Sequence, residues 1–116
     1  MFIGEPDNKN ITIKESGIQG LGVFASVTLL PNIPIGVTHY IKQTPSGLRA
    51  TGISELGKFI NHSIEPNCQA RIQGDEILLE SKEGILNGVE LTVNYSDFKA
   101  VSNIETPNLE FHGKSS

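Results

Sequence analysis

Residues 59–67, FINHSIEPN, contain the most informative chemistry in the sequence. Asn61, His62 and Ser63 follow two apolar residues, so we expect these polar side chains to be partly buried. A buried asparagine has to satisfy several hydrogen-bonding groups at once, either by bridging loops or by binding an amine or a carboxylate. For an isolated Asn-His pair, the structural bridge is the expected role.

Two other stretches stand out on either side of this segment. Upstream, residues 16–25, SGIQGLGVFA, place three glycines in a bend before a short apolar run. A dinucleotide-binding loop also has spaced glycines, but it opens a helix, whereas β-type residues and then prolines follow here. Taken alone, these glycines indicate a tight turn that requires positive φ angles. Downstream, residues 88–95, GVELTVNY, form a strand-like run that ends in one of only two tyrosines.

The composition limits the class of protein. A chain of 116 residues with 12 glycines and 6 prolines fits one turn-rich domain with short strands. Its single cysteine, Cys68, excludes an internal disulfide and a cysteine-rich zinc site. The net charge of −4 argues against nucleic acid as the main partner and is compatible with a basic peptide.

The sequence shows no sign of secretion or of a membrane anchor. Its first ten residues, MFIGEPDNKN, contain neither a basic leader nor an apolar run. No stretch approaches the roughly 20 apolar residues of a transmembrane helix. We therefore expect an intracellular protein without a membrane partner.

Local patterns predict a mainly β domain with many turns. Alternation and residue type favour strands, proline and glycine mark turns, and Ser54 is a candidate helix cap. The predicted strands are 11–13, 23–25, 37–41, 69–72, 77–79 and 91–95; the predicted turns are 29–36, 43–51, 74–75 and 87–88; a short helical turn is predicted over 54–58.

Together, the three stretches resemble the SET-domain methyltransferases. That family has an Asn-His-Ser-x-x-Pro-Asn segment after an apolar pair, and residues 61–67 match it at every named position. Residues 20–25 resemble its Gly-x-Gly strand, and residues 90–95 resemble its segment that ends in a catalytic tyrosine. The resemblance implies a β-clip-like SET fold, with short strands in small sheets, short helical turns and knot-like C-terminal threading. It implies a single domain over residues 1–116, with a core at about 11–95 and a closing segment at 96–116.

The resemblance also implies an activity, S-adenosylmethionine-dependent methyl transfer to a lysine side chain of a protein or peptide. Tyr95 and Tyr40 are then the expected catalytic residues, and Asn67 is expected to brace the threaded core. The residues expected to bind the cofactor are Gly20, Leu21, Gly22, Asn61, His62 and Tyr95. The residues expected to line the lysine channel are Tyr40, Val93 and Phe98. Phe24, Phe59 and Phe111 are further aromatic candidates, each of which also fits a plain core role.

Methyl transfer to an amine explains why tyrosines suit these positions. The amine has to be neutral, although the pKa of a free lysine is about 10.4, and an apolar channel disfavours the ammonium form. A tyrosine hydroxyl can orient the amine, and the main task of the enzyme is to hold the reacting atoms in line at roughly 3–3.5 Å.

The sequence departs from the family in several places. Ile64 stands where many members have a cysteine, so the C-terminal segment has to close the site without zinc. The substrate-reading insert, residues 42–57, is very short. Val93 stands where some members have the aromatic residue that limits methyl number, which leaves the methylation state open.

Two other functions remain open at this level. The short insert favours, as an alternative, a non-catalytic SET-like module that binds a cofactor or a peptide. A metal site built from His39, His62, His112 and Cys68 is disfavoured, because their spacing matches no compact ligand pattern. The length resembles that of stand-alone SET proteins, viral ones included. This resemblance is compatible with a homodimer, and with a location in the cytoplasm or in a host nucleus.

Overall fold

The structure, a computed structural model, describes residues 9–107 of the chain. Strands dominate and helix is scarce, which confirms the predicted mainly β fold. The elements are, in chain order, β1 (Ile11–Glu15), β2 (Leu21–Ala25), β3 (Pro34–Thr44), β4 (Gly47–Ile53), α1 (Glu55–Phe59), β5 (Asn61–His62), β6 (Cys68–Gln73), β7 (Glu76–Ser81), β8 (Glu90–Val93), a 3₁₀ turn (Tyr95–Phe98) and β9 (Val101–Ser102).

These strands form two sheets. One sheet has the strand order β1-β2-β8-β5, and the other has the order β6-β7-β3-β4-β9. Neighbouring strands are antiparallel except in the pairs β5–β8 and β4–β9, which are parallel. After β8 the chain leaves the first sheet, and β9 then joins the edge of the second sheet beside β4. This crossing is the part of the described chain that corresponds to the predicted C-terminal threading.

Apolar side chains from both sheets pack into one core. Val23 and Val93 of the first sheet and Leu79 of the second are fully buried. Burial of such a side chain contributes about 1.5–3 kcal/mol to folding. Ile60 is also fully buried, and it therefore anchors the start of residues 61–67 beside this core.

The two predicted glycine turns are confirmed. Gly74 has a φ of 63° and joins β6 to β7, and Gly88 has a φ of 92° just before β8. Glycine lacks the Cβ that penalises these angles. Each turn therefore sits where a local signal in the sequence is strong.

The predicted helical turn is also confirmed, with the expected cap. Ser54 is the N-cap of α1, and its Oγ accepts a hydrogen bond from the N–H of Gly57 at 3.0 Å. The Ser54 hydroxyl donates to the carbonyl oxygen of Val37 at 2.6 Å, which ties the helix to β3. Helix α1 has only five residues, and within residues 9–107 no helix is long and apolar enough to cross a membrane.

The structure corrects two of the predicted turns. The polar residues 43–51 form most of the β3–β4 hairpin, in which only residues 45–46 are a turn. Pro34 belongs to a predicted turn but is the first residue of β3, a strand position that proline tolerates. The hairpin forms because the buried side chains of Ile41 and Ala50 stabilise pairing that the local polarity does not reveal. The start of β3 is held by a different strand, since Pro34 lies opposite Glu80 of β7.

Candidate active site

Parallel pairing of β5 with β8 positions the predicted site residues. Asn61 lies opposite Thr92, and His62 lies opposite Val93. Successive side chains on a strand point to opposite faces, so Asn61 and His62 have different surroundings. Asn61 is fully buried, whereas His62 is half-buried.

The side-chain amide nitrogen of Asn61 lies among four oxygen acceptors. Nδ2 is 2.9 Å from Oε2 of Glu90 and 3.2 Å from Oγ of Ser16. It is also 3.2 Å from the carbonyl oxygen of Gln19 and 3.3 Å from that of Leu21. An amide nitrogen has only two N–H groups, so this corner of the site has more acceptors than the amide can serve fully.

The carboxylate of Glu90 packs against the bare Cα of Gly22. A Cβ atom at residue 22 would collide with Oε2 of Glu90. The hydroxyl of Ser16 donates to the same carboxylate and lies 2.8 Å from each of its oxygens. Gly22 is one of the residues expected to bind the cofactor, and in this structure the carboxylate of Glu90 occupies the space beside it.

The bend before β2 is closed by its own hydrogen bonds. The N–H of Ser16 donates to the carbonyl oxygen of Gly20 at 2.8 Å, and Oγ of Ser16 accepts from the N–H of Ile18 at 2.8 Å. Of the three glycines, only Gly20 has the expected positive φ, 49°, whereas Gly17 and Gly22 do not. A Cβ at Gly17 or Gly20 would meet nothing within 4 Å, and the side chain of Leu21 is exposed. One side of the bend is therefore open.

Tyr95 is held by its backbone and by its hydroxyl. Its N–H donates to Nδ1 of His62 at 3.0 Å, and its hydroxyl donates to the carbonyl oxygen of Ile60 at 2.8 Å. Because Nδ1 accepts a hydrogen bond, the proton of the neutral imidazole lies on Nε2. The residues on either side of Asn61 thus both fix Tyr95.

A row of rings extends from His62 into the protein. The ring centroids of His62 and Tyr95 are 5.0 Å apart, those of Tyr95 and Phe98 are 6.2 Å apart, and those of Phe98 and His39 are 5.1 Å apart. Phe98 is buried, and Val93 is fully buried in β8. Two of the three predicted channel residues, Val93 and Phe98, therefore lie in the interior near the end of β8, and their role as channel walls stays a prediction.

Tyr40 is not part of this row among residues 9–107. It follows His39 on β3, so its ring points away from the face on which His39 packs against Phe98. The Tyr40 side chain is 41% exposed and lies against Gly52 on β4. The predicted role of Tyr40 beside a lysine channel stays a prediction.

Asn67 braces β8 at the other end of residues 61–67. Its Nδ2 donates to the carbonyl oxygen of Glu90 at 2.9 Å, and its Oδ1 accepts from the N–H of Thr92 at 2.9 Å. The backbone N–H of Asn67 also donates to Oγ1 of Thr92 at 3.3 Å. These are the contacts of a brace, as the resemblance implied.

His39 ties the C-terminal part of the described chain to β3. Its Nε2 is 2.8 Å from the carbonyl oxygen of Glu105, and its Nδ1 is 2.9 Å from Oγ1 of Thr38. Burial lowers the pKa of His39, and the bond to Glu105 opposes that shift. A neutral ring with its proton on Nε2 satisfies both partners. Beside this contact lies a cleft of about 180 Å³, lined by His39, residues 50–53, Asn103 and Glu105.

The described residues give no support to a metal site. Within residues 9–107, no group of three His, Cys, Asp or Glu side chains is placed to hold a metal ion. Burial raises the pKa of the Cys68 thiol to about 12, so the thiolate that metals require is scarce at neutral pH. His112, Phe111 and the end of the predicted closing segment 96–116 lie outside the described residues.

Sequence reasoning missed two residues of the site, Glu90 and Ser16. Both contact Asn61, which is 29 residues from one and 45 from the other. A weak signal was present, because Glu90 is a charged residue directly before the strand-forming run LTV of β8. A carboxylate next to a buried strand needs a partner, but the partner is not visible without the fold.

The comparison with protein families supports the resemblance. The model of the SET domain matches residues 5–96, which include the glycine bend, residues 61–67 and β8. Among curated proteins, the chain is 27% identical over 128 residues to the histone-lysine N-methyltransferase ATX2 of Arabidopsis thaliana. That match covers 84% of this chain but spans only 12% of the relative.

Solved structures share the fold at low sequence identity. A Plasmodium falciparum protein assigned as a histone methyltransferase superposes with a TM-score of 0.60 at 19% identity, covering 75% of this chain and 93% of that one. A chain of the Chaetomium thermophilum Polycomb Repressive Complex 2 superposes with a TM-score of 0.64 at 19% identity, covering 83% of this chain and 17% of that one. Since the family match spans most of the chain and contains the glycine bend, residues 61–67 and Tyr95, the chain belongs to the SET-domain family.

Proposed function

We propose that this protein transfers a methyl group from S-adenosylmethionine to a lysine side chain of a protein substrate. One observation supports this most directly. Three consecutive residues, Ile60, Asn61 and His62, connect an acceptor-rich corner at Asn61 with the hydroxyl and backbone of Tyr95. A cofactor end and a catalytic hydroxyl can thus be aligned by one short, anchored segment.

The acceptor-rich corner fits the amino-acid end of this cofactor. An ammonium group offers three N–H donors, and the carbonyl oxygens of Gln19 and Leu21 are acceptors. The glycine bend that carries these two carbonyls is open at Gly17 and Gly20. The half-buried His62 would then lie along the remainder of the cofactor.

Tyr95 would orient the substrate amine. The cofactor, when bound, supplies an electrophilic methyl group on a sulfonium. The Tyr95 hydroxyl donates its proton to Ile60, so towards a lysine amine its oxygen acts as an acceptor. Accepting one N–H of the amine would fix the direction of the nitrogen lone pair. The buried Val93 and Phe98 nearby favour a neutral amine over an ammonium.

The cleft beside His39 supports a peptide-like substrate. β9 pairs with β4 only at Leu48 and Arg49, so within residues 9–107 the same edge of β4 has no strand partner at 50–53. This edge lines the cleft together with Glu105, whose carboxylate suits a lysine-bearing segment. From the cleft, His39 and Phe98 connect to Tyr95 through ring contacts.

The first test is calorimetric titration of S-adenosylmethionine into the wild type and into Asn61→Ala. Loss of a charge-assisted network should weaken binding at least tenfold, equivalent to about 1.4 kcal/mol. Asn87→Ala, which changes an exposed asparagine in the turn before β8, is the matched control and should bind like the wild type. Absence of binding to folded wild-type protein would refute the proposal.

The second test is methylation of a panel of lysine peptides and histones by Tyr95→Phe. Removal of the hydroxyl should lower the rate by roughly 10²-fold or more, because the amine loses its orienting acceptor. Tyr40→Phe, measured in parallel, shows whether the second tyrosine has a catalytic share. Cofactor binding by the wild type without any methylated product would favour the non-catalytic binding module.

Two further expectations accompany this proposal. We expect the protein to act inside the cell, which localisation of a tagged chain would check. We expect light scattering to report whether a homodimer forms at micromolar concentration. Neither result alters the assignment of the site residues.

A further inference from the structure

Glu90 is a partly buried carboxylate to which the proposed reaction assigns no chemical step. It begins β8, accepts hydrogen bonds from Ser16 and Asn61, and fills the space left by the missing side chain of Gly22. The sequence separations are 74 residues to Ser16 and 29 residues to Asn61. A single carboxylate therefore connects three parts of the site that are remote along the chain.

Glu90 determines which way the Asn61 amide faces. The Asn61 nitrogen lies among four oxygen atoms, and the Glu90 contact, at 2.9 Å, is the shortest of the four. A hydrogen bond to a carboxylate is roughly twice as strong as one between neutral groups. Rotating the amide by 180° would place its oxygen against the carboxylate and two carbonyl oxygens, which is repulsive. The carboxylate therefore keeps the amide nitrogen of Asn61 facing Glu90. The amide oxygen Oδ1 then lies on the opposite side.

Glu90 also fixes the glycine bend through Ser16. The single proton of the Ser16 hydroxyl is donated to the carboxylate. The lone pairs of the same oxygen then accept from the N–H of Ile18 at 2.8 Å and lie 3.4 Å from the N–H of Gln19. The carbonyl oxygen of Gln19 is one of the acceptors around Asn61. The position of that acceptor thus depends on the carboxylate as well.

We propose that Glu90 is a positioning residue for the amino-acid end of the cofactor. It acts through Asn61 on one wall of the acceptor-rich corner and through Ser16 on the other. This inference rests on the proposed function, because it concerns the same cofactor site. This role predicts that the site binds a ligand with a primary ammonium group more tightly than an otherwise similar ligand without one.

Two ligands and substitutions at two glutamate positions test this role. S-adenosylhomocysteine contains the amino-acid end, whereas 5′-methylthioadenosine lacks it and keeps the nucleoside and the sulfur. Glu90→Gln should weaken binding of S-adenosylhomocysteine at least tenfold and change binding of 5′-methylthioadenosine less than twofold. Glu80→Gln is the matched control, since Glu80 also accepts side-chain hydrogen bonds, from Gln69 and Arg71, but on the other sheet. It should leave both affinities unchanged.

Equal weakening of the two ligands by Glu90→Gln would reduce Glu90 to a general structural role and overturn the inference. An unchanged affinity for S-adenosylhomocysteine would overturn it too. If the wild type binds neither ligand, the proposed function fails, and that result differs from a wild type that binds while Glu90→Gln binds equally well. Ser16→Ala, which keeps the carboxylate, is the second variant if Glu90→Gln does not fold, and it should show the same selectivity in weaker form.

A measurement without ligand decides the positioning step itself. The side-chain NH₂ signals of Asn61 in an amide nitrogen–proton spectrum should be sharp and slow to exchange in the wild type, because the nitrogen is buried and bonded. Glu90→Gln should shift these signals and speed their exchange at least tenfold, whereas Glu80→Gln should not. Unaltered Asn61 signals in Glu90→Gln would show that the carboxylate does not orient the amide.

Discussion

The two asparagines at the ends of residues 61–67 make different kinds of contact, although both are bonded to the same strand. The Asn61 amide contacts two side chains, Ser16 and Glu90, and carbonyl oxygens of the glycine bend. The Asn67 amide contacts the backbone of β8 at both of its atoms. We refer to these as the Asn61 end and the Asn67 end of the segment.

The difference in hydrogen-bond partners indicates which end is suited to a ligand. At the Asn67 end, one amide oxygen meets one N–H and one amide nitrogen meets one carbonyl oxygen, so donors and acceptors match. At the Asn61 end, two N–H groups face four acceptors, and a carboxylate is among them. A matched contact stabilises a fold, whereas a surplus of acceptors suits an added donor such as an ammonium.

The largest effect on stability is expected at the Asn67 end. Asn67→Ala removes the partners of the Glu90 carbonyl and the Thr92 N–H, which are partly shielded from water. Leaving two such groups unpaired should cost about 2–4 kcal/mol in the free energy of unfolding. Urea denaturation measures this, with Asn87→Ala as the control. Cofactor affinity per folded molecule should stay near that of the wild type, and a large selective loss of affinity would contradict the division between the two ends.

An intermediate effect is expected from Gly22→Ala at the Asn61 end. The new methyl group collides with the Glu90 carboxylate, and relieving such overpacking should cost about 1–3 kcal/mol. Because the displaced carboxylate is a partner of Asn61, cofactor binding should weaken as well. Thermal unfolding and calorimetric titration measure the two losses.

Gly17→Ala provides the matched control for that experiment. A Cβ at Gly17 meets nothing within 4 Å, so the free energy of unfolding should change by less than about 0.5 kcal/mol. If Gly17→Ala and Gly22→Ala had the same effect, the close contact between Gly22 and Glu90 would not be the cause.

The last prediction involves no change in stability; it concerns the labelling kinetics of Cys68, which follows Asn67. Burial raises the pKa of its thiol from 9.0 to about 12. At pH 8 the thiolate fraction should therefore be roughly 10³-fold lower in the folded protein than in the unfolded chain. Labelling with a chromogenic disulfide reagent should be slow in buffer and rapid in urea. Rapid labelling of the folded protein would show that the Asn67 end opens readily.

Much of the fold was predictable because its signals are local. The Gly74 and Gly88 turns need positive φ angles, and Ser54 caps a helix that begins at the next residue. The resemblance of residues 61–67 to the family segment was confirmed by the family match. Each of these features depends on residues that are close together in the chain.

The β3–β4 hairpin and the start of β3 at Pro34 were not predictable in the same way. Residues 43–51 are polar and turn-forming by composition, but their backbone groups pair across the hairpin, and Ile41 and Ala50 are buried. Pairing and burial between strands outweigh weak local preferences. Tyr40 illustrates the same limit: alternation along β3 places its ring opposite to that of His39, but only the packing of the sheets decides which of the two faces Phe98.

The sequence by itself determined the chemical inventory of this protein: a mainly β SET domain with an Asn-His-Ser segment, a glycine bend and a strand followed closely by Tyr95. The structure ends that strand at Val93, and Tyr95 begins the 3₁₀ turn instead of completing the predicted strand 91–95. Only the tertiary structure decided that Glu90 and Ser16 complete the surroundings of Asn61. It also decided that the missing side chain of Gly22 leaves room for the Glu90 carboxylate. The physical reason is distance along the chain. Motifs record short-range backbone requirements, whereas a hydrogen-bond network across 29–74 residues exists only after the sheets have packed.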